Sequence, residues 1–153
     1  MKMKAAYMNE VGKMEIGEFA KPSPKAKQVL GKLDYVGVCG SDGHYFHTGR
    51  CGSYEVTDDC KPFILGHECA GVVVELGEGV TGLQVGDKVA IEPGITCGEC
   101  EFCRSGRYNL CPDVVFLATP PVQGCNMEYI AFPENLCFKL PENVSTLEGA
   151  LVE

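Results

Sequence analysis

The sequence lacks a long apolar stretch and has few basic residues. No run of about 18 apolar residues occurs in its 153 residues, so a membrane-spanning helix is not expected. The first sixteen residues, MKMKAAYMNEVGKMEI, contain no apolar core typical of a signal peptide, which makes the cytoplasm the expected compartment. With 13 basic against 21 acidic residues the net charge is −8. Such a chain lacks the basic clusters that bind nucleic acid and the basic face that binds anionic lipid.

Disorder is also not expected. Apolar residues make up 45% of the sequence, enough for a packed core. The 19 glycines and 9 prolines indicate many turns but stay below the range of low-complexity chains. No repeat, linker or charge block divides the chain, which has the length of one ordinary domain.

The local patterns are mostly those of strands. Short apolar or alternating runs bounded by glycine or turn residues predict strands at 27–38, 70–76, 87–91, 126–132 and 136–140. In the first of these, the alternation places Val29, Leu33 and Tyr35 on one face. Residues 41–48 predict one or two helical turns. Many short strands joined by glycine-rich turns predict a mainly β barrel or sandwich.

Near the C-terminus, residues 145–148 (STLE) have the pattern of a capping box, so a helix is expected to begin there. The chain stops at Glu153, barely two turns later, and isolated helices of that length are marginal. We therefore expect the chain to be part of a longer protein.

Residues 77–82 (GEGVTG) satisfy the dinucleotide-binding pattern G-x-G-x-x-G, but no helix can follow them. Gly86 and Asp87 arrive almost at once and another strand follows, which leaves no space for a phosphate-binding helix terminus. The segment is predicted to be a turn region, and no nucleotide-binding unit is expected in this chain.

Ten cysteines are present, and four of them are closely spaced: Cys97, Cys100, Cys103 and Cys111. In a reducing compartment this spacing favours a metal site over disulfides. Four thiolates can surround one Zn²⁺ tetrahedrally and leave no open position. An iron–sulfur cluster is the alternative, because Cys111 is followed by Pro112; however, seven residues precede the last cysteine where the bacterial ferredoxin pattern has three.

A second candidate site combines Cys39 with His67 and Glu68. Cysteine, histidine and glutamate can form an open zinc site that leaves a position for water or substrate. The His67–Glu68 pair alone is weak evidence for a metal site. Adjacent residues of a strand point to opposite faces, and a lone histidine is more often structural.

Residues 66–80 (GHECAGVVVELGEGV) resemble the zinc signature of the medium-chain alcohol dehydrogenases. The segment Cys39-Gly-Ser-Asp, the segment 86–89 and the four-cysteine lobe stand in that family's order and spacing. The segments 89–94 (VAIEPG), 106–111 (GRYNLC) and 116–121 (FLATPP) resemble its polyol branch, the sorbitol (L-iditol) and xylitol dehydrogenases. The resemblance implies a GroES-like, partly open β-barrel catalytic domain over 1–153 with a zinc lobe at 93–113. It also implies that a Rossmann NAD-binding domain normally follows, and this domain is expected to lie outside residues 1–153.

The resemblance also implies roles for individual residues. Cys39 and His67 would ligate a catalytic zinc; Glu68 would be the third ligand, while Glu153 would bind the metal or hold a zinc-bound water. The four lobe cysteines would bind a structural zinc. Two further pairs follow from the family, a Ser41–His44 proton relay and the substrate-pocket positions Tyr45 and Phe116, for which aromatic core packing is the alternative. Six residues match no ligand position: His47, Cys51, Cys60, Cys69, Cys125 and Cys137.

The function implied is zinc-assisted oxidation of a secondary alcohol of a small polyol to a ketone, with NAD bound only by the full-length enzyme, which is expected to be a homo-oligomer. Two alternatives stay open. One is an L-threonine or 2,3-butanediol dehydrogenase of the same superfamily. The other is a non-enzymatic zinc-binding module, since the chain itself contains no cofactor site.

Overall fold

The structure, a computed structural model, describes all 153 residues and consists mainly of short antiparallel strands. Strands make up 37% of the chain and helices 17%, which confirms the predicted fold class. The strands are β1 (Lys2–Glu10), β2 (Lys13–Ala20), β3 (Gln28–Val36), β4 (Arg50–Cys51), β5 (Tyr54–Glu55), β6 (Cys69–Leu76), β7 (Lys88–Ile91), β8 (Gly94–Ile95), β9 (Val115–Phe116), β10 (Tyr129–Pro133) and β11 (Cys137–Lys139). The helices are α1 (Gly40–Thr48), α2 (Glu101–Arg104) and α3 (Thr146–Gly149), with 3-10 turns at Asp58–Cys60, Tyr108–Leu110 and Glu134–Leu136.

Five strands form the main sheet in the order β10-β3-β6-β7-β11, with every pair antiparallel. The sheet curls into a half-barrel, the partly open barrel that was predicted. The β1–β2 hairpin joins the rest through two isolated bridges, Ala5 to Met127 and Met8 to Phe63. The hairpins β4–β5 and β8–β9 are separate two-stranded pieces.

The half-barrel is filled by an apolar cluster of eleven buried residues. Val29, Val73 and Val89, from three neighbouring strands, are each at most 1% exposed. Their β-branched side chains suit the pleated surface of a sheet. A smaller cluster packs α1 against the segment before β6 and contains Tyr45, Cys60, Phe63 and Leu65.

Most predicted strands are present, with shifted ends. The strands predicted at 70–76 and 87–91 are β6 and β7, whereas the strand predicted at 126–132 begins only at Tyr129. In the segment 136–140, Leu136 belongs to a 3-10 turn and the strand ends at Lys139. The β1–β2 hairpin was not predicted.

The alternation predicted for β3 fails at its end. Tyr35 is 46% exposed, although the pattern places it on the same face as the fully buried Val29. The pairing with β6 shifts register between Leu33 and Tyr35. An irregularity of this kind changes which face the following side chain takes, so a strict period of two no longer holds.

The glycine pattern at 77–82 lies in turns between β6 and β7, as predicted, and no helix follows it. The backbone N–H groups of Thr81 and Gly82 donate to the same carboxylate oxygen of Glu134, at 2.9 and 3.0 Å. Lys27 lies beside this pair, with its Nζ 3.7 Å from Glu134. A carboxylate of the chain itself therefore occupies the amide groups that would face a phosphate.

Both predicted helix starts are present. At α3, Ser145 Oγ accepts from Glu148 N at 3.2 Å and the Glu148 carboxylate accepts from Ser145 N at 2.8 Å, which is the predicted capping box. The turns predicted at 41–48 form α1. None of the helices has the length and hydropathy that a membrane crossing requires.

Candidate metal centres

One cluster of ligand atoms lies in the lobe between β7 and β9. Four thiol sulfurs lie within 4.8 Å of one another, those of Cys97, Cys100, Cys103 and Cys111. Gly98 and Gly106 adopt positive φ angles of 74° and 77°, which lets the backbone wrap closely around the sulfurs. The structure thus brings together all four cysteines of the predicted lobe.

The sulfur separations fit a single tetrahedral ion. The Sγ atoms of Cys97 and Cys103 lie 3.9 Å apart, and those of Cys100 and Cys103 lie 3.4 Å apart. With Zn–S bonds of about 2.3 Å, the edges of an ideal tetrahedron are about 3.8 Å long. An iron–sulfur cluster fits less well, because the body of the cluster separates its ligands.

Backbone amides favour the thiolate form of Cys97. Its sulfur accepts from the N–H groups of Glu99 and Cys100, each at 3.4 Å. These bonds lower the pKa of Cys97 to about 7. Because the thiolate is the form that binds metals, this part of the lobe is prepared for a cation.

The second cluster joins two distant segments. Ligand atoms of Cys39, His67 and Glu68 lie within 4.8 Å of one another. Cys39 is the N-cap of α1 and follows β3, while His67 and Glu68 lead into β6. Since β3 pairs with β6 and Val36 lies opposite Cys69, the sheet register places these segments side by side. Sulfur, imidazole and carboxylate are the donor types of an open zinc site.

His67 and Glu68 are adjacent in the sequence, yet both place ligand atoms in the Cys39 cluster, because they do not lie in a strand. Residues 64–68 are irregular, and β6 begins only at Cys69. Gly66 has a φ of 90°, a backbone conformation that residues with a Cβ atom rarely adopt. The objection that adjacent residues point to opposite faces therefore does not apply to His67 and Glu68.

Asp42 ties the two segments together and was missed as a functional residue. It is 5% exposed, and its two carboxylate oxygens accept from Cys39 N and Gly66 N, both at 2.9 Å. His67 Nδ1 lies 4.0 Å from the same carboxylate. One buried anion thus fixes the backbone at both ends of the ligand set. Its position three residues after Cys39, as in a capping box, is the signal that could have identified it.

The predicted relay residues lie on α1 but are not hydrogen-bonded to each other. Ser41 is half-buried and lines a cavity that also contains His67. His44, three residues further along the same helix face, is exposed, and no hydrogen bond joins its imidazole to Ser41. The relay stays a prediction.

Glu153 lies outside the three-ligand cluster and is exposed. Desolvation and the negative charge of Glu92 raise its pKa, and the charges of His67 and Glu68 also act on it. Glu153 is therefore close to the site electrostatically without being among its grouped ligand atoms.

A cavity of about 280 Å³ adjoins His67 and Ser41. Tyr45 and Phe116 both line it, and the Phe116 ring lies 5.5 Å from the His67 ring. Tyr45 also packs edge-on against Phe63, so it both lines the cavity and packs in the core.

The cysteines that match no ligand position belong to neither cluster, and all ten cysteines are free thiols. Cys60, Cys69, Cys125 and Cys137 are buried in the core. His47 is exposed and contacts Phe46 edge-on. Cys51 differs from the rest, because it lines the cavity.

Comparison with known proteins identifies the family. Residues 25–142 match the model of the alcohol dehydrogenase GroES-like domain. The chain belongs to this family. It is 50% identical over 151 residues to a sorbitol dehydrogenase from Bacillus subtilis, covering 99% of this chain and 42% of that protein. The predicted recognition, the zinc-type polyol branch, is confirmed.

Solved structures of the GroES-like family agree with the fold. An Escherichia coli oxidoreductase/dehydrogenase of unknown specificity is 45% identical, with a TM-score of 0.92 over 100% of this chain and 44% of that one. An alcohol dehydrogenase from Escherichia coli CFT073, in complex with NADH, is 31% identical, with a TM-score of 0.85 over 99% of this chain and 42% of that one. The chain thus spans less than half the length of these relatives.

Proposed function

We propose that the chain is the zinc-binding catalytic domain of an NAD-dependent polyol dehydrogenase of the sorbitol (L-iditol) or xylitol type. The observation that carries this proposal is the convergence of Cys39, His67 and Glu68 beside a cavity. The similarity to a sorbitol dehydrogenase supports the substrate class, and the NADH complex of a structural relative supports the cofactor.

Two zinc ions would be held by this chain, one by the four lobe cysteines and one by the Cys39 cluster. The lobe, residues 93–113, offers four thiolates and no open position, which suits a structural ion. The Cys39 cluster has three donors and adjoins the cavity, which suits a catalytic ion. Glu153 would act near this ion as a carboxylate outside the direct ligand set.

In the complete enzyme, bound zinc supplies a Lewis acid that polarises the substrate hydroxyl, and NAD⁺ supplies the hydride acceptor. The chain's own residues position the substrate and remove the proton. Ser41 Oγ, in the cavity wall beside His67, would accept the hydroxyl proton while it releases its own hydroxyl proton to water in the cavity. His44, exposed on the same helix, would take up that proton and pass it to solvent.

The complete protein would carry the NAD-binding domain outside residues 1–153 and work as a homo-oligomer in the cytoplasm. Ten free cysteines are typical of a reducing compartment. A small polyol would be its partner, and the net charge of −8 argues against nucleic acid.

Metal analysis and kinetics test the proposal. The complete protein should bind two zinc ions per chain; Cys39→Ser should lose one and Cys103→Ser the other. The complete protein should oxidise sorbitol or xylitol with NAD⁺ faster than L-threonine or 2,3-butanediol. Preference for one of the latter two would change the substrate. Two bound zinc ions without turnover of any alcohol would favour a non-enzymatic zinc module.

A further inference from the structure

The small hairpin β4–β5 forms one wall of the cavity beside His67. Cys51 and Tyr54, one from each strand, both line the cavity. They are direct cross-strand partners, so their side chains lie side by side on one face of the hairpin. Gly52, in the turn between them, has a φ of 57°, which permits this tight connection.

This wall is anchored to the helix that carries Ser41. The N–H of Gly49 donates to Tyr45 O at 2.8 Å, and the N–H of Val56, just after β5, donates to Gly49 O at 2.8 Å. The hairpin therefore keeps a fixed place relative to α1. Tyr54 is 53% exposed, which puts it at the solvent side of the cavity, whereas Tyr45 is buried.

Hydroxyl and thiol groups converge on this part of the cavity. Thr119, Cys51 and Tyr54 line the cavity together with Tyr45. Burial, followed by the effect of Cys51, raises the pKa of Tyr45, so it stays a hydrogen-bond donor at neutral pH. At about 280 Å³ the cavity is near the lower end of the ~300–1,000 Å³ range of small-molecule sites.

We propose that the β4–β5 hairpin selects substrate length: Tyr54 donates a hydrogen bond to a hydroxyl group distal to the oxidised carbon, and Cys51 packs against the intervening carbon chain. The proposal rests on the proposed function, and it names an extended acyclic polyol as the preferred class over a short alcohol. The hydroxyl of a half-exposed tyrosine can form a hydrogen bond that strengthens the binding of an extended polyol. It adds nothing to the binding of an alcohol too short to reach it.

The Cys51 thiol makes the proposal testable without relying on turnover. In the zinc-loaded complete protein, alkylation of Cys51 by iodoacetamide is followed by peptide mass spectrometry with and without sorbitol. Sorbitol should slow the labelling of Cys51, and 2-propanol should not. A Ser53→Cys variant is the control, because Ser53 is exposed in the hairpin turn and is not among the cavity-lining residues.

Tyr54→Phe removes only the hydroxyl. It should raise KM for sorbitol about 3- to 10-fold, the effect of one ordinary hydrogen bond, and thereby raise the ratio of the KM for sorbitol to the KM for 2-propanol. If the protein oxidises sorbitol but neither the labelling of Cys51 nor this ratio changes, the hairpin proposal is wrong and the proposed function stands. If no polyol is oxidised, the proposed function fails and the hairpin proposal fails with it.

Discussion

The buried carboxylate of Asp42 offers the sharpest test of how the Cys39 cluster is held. Its two oxygens accept from Cys39 N and Gly66 N, one amide on each side of the ligand set. Asp42→Asn keeps the shape of the side chain but replaces one acceptor oxygen with an NH₂ group. One of the two backbone N–H groups then faces a donor inside a nearly inaccessible site.

The cost follows from the number of bonds lost. A hydrogen bond to a charged group is worth about 1.5–3 kcal/mol, so Asp42→Asn should lower the free energy of unfolding by about that amount. Asp42→Ala loses both bonds and should cost about 3–6 kcal/mol, a large share of the ~5–15 kcal/mol that stabilises a typical domain. Because residues that orient metal ligands typically contribute about 10- to 100-fold to affinity, zinc binding at the Cys39 cluster should weaken by a similar factor in Asp42→Asn.

Urea denaturation and zinc titration against a chromophoric chelator measure these two effects. The lobe serves as an internal control, because the oxygens of Asp42 bond to none of its cysteines. Asp34→Asn is the matched substitution at an exposed aspartate of β3 and should change neither quantity. An Asp42→Asn variant within about 0.5 kcal/mol of the parent, with unchanged zinc affinity at the Cys39 cluster, would show that the carboxylate does not hold the cluster together.

Two further substitutions separate local from global effects. Cys103→Ser should remove one zinc ion and unfold the lobe. Cys137→Ser lies in the apolar core, where burial raises the pKa of that thiol to about 12, and should keep both ions while lowering the unfolding midpoint. Metal content and urea midpoints distinguish the two variants, and equal zinc loss in both would contradict the assignment. Glu134→Gln should lower stability at about pH 7, because the N–H groups of Gly82 and then Thr81 hold the pKa of Glu134 below its ordinary value of 4.5. A depressed pKa stabilises the folded state above the unfolded-state value, and this contribution is lost as the pH falls through the folded-state value, so the difference should shrink at about pH 4. Glu142→Gln, at an exposed residue, is the control, and a difference that persists in acid would refute the explanation.

The four-cysteine lobe could be predicted in detail because all its ligands lie in one short segment. Between Cys97 and Cys111 the chain has few ways to place four sulfurs, and spacing alone indicates their proximity. The structure adds the positive φ of Gly98 and Gly106, both within this segment. Proximity in sequence was here a sufficient guide to proximity in space.

The fold was predicted less evenly. Glycine-bounded β-branched runs such as β6 and β7 carry a strong local signal. The β1–β2 hairpin has a weaker one, because Met3, Ala5 and Met8 are buried but do not keep a strict alternation. The exposure of Tyr35 depends on a register shift that arises from pairing with β6, which no pattern within β3 reveals.

The Cys39 cluster could not be predicted from local sequence patterns alone, because it depends on strand pairing. His67 and Glu68 come close to Cys39 only because Val36 of β3 pairs with Cys69 of β6, a register that is a property of the sheet. The ligand types could be recognised from the resemblance, and the capping-box spacing could indicate the bond from Cys39 N to Asp42, but no local pattern indicates that Asp42 also holds the second segment. Asp42 lies 24 positions from Gly66, and nothing local indicates that its second oxygen accepts from that residue. A residue with this role is buried, charged and bonded to backbone on both sides, so its substitution should weaken metal binding without removing a ligand, and this pattern distinguishes it from Cys39 itself.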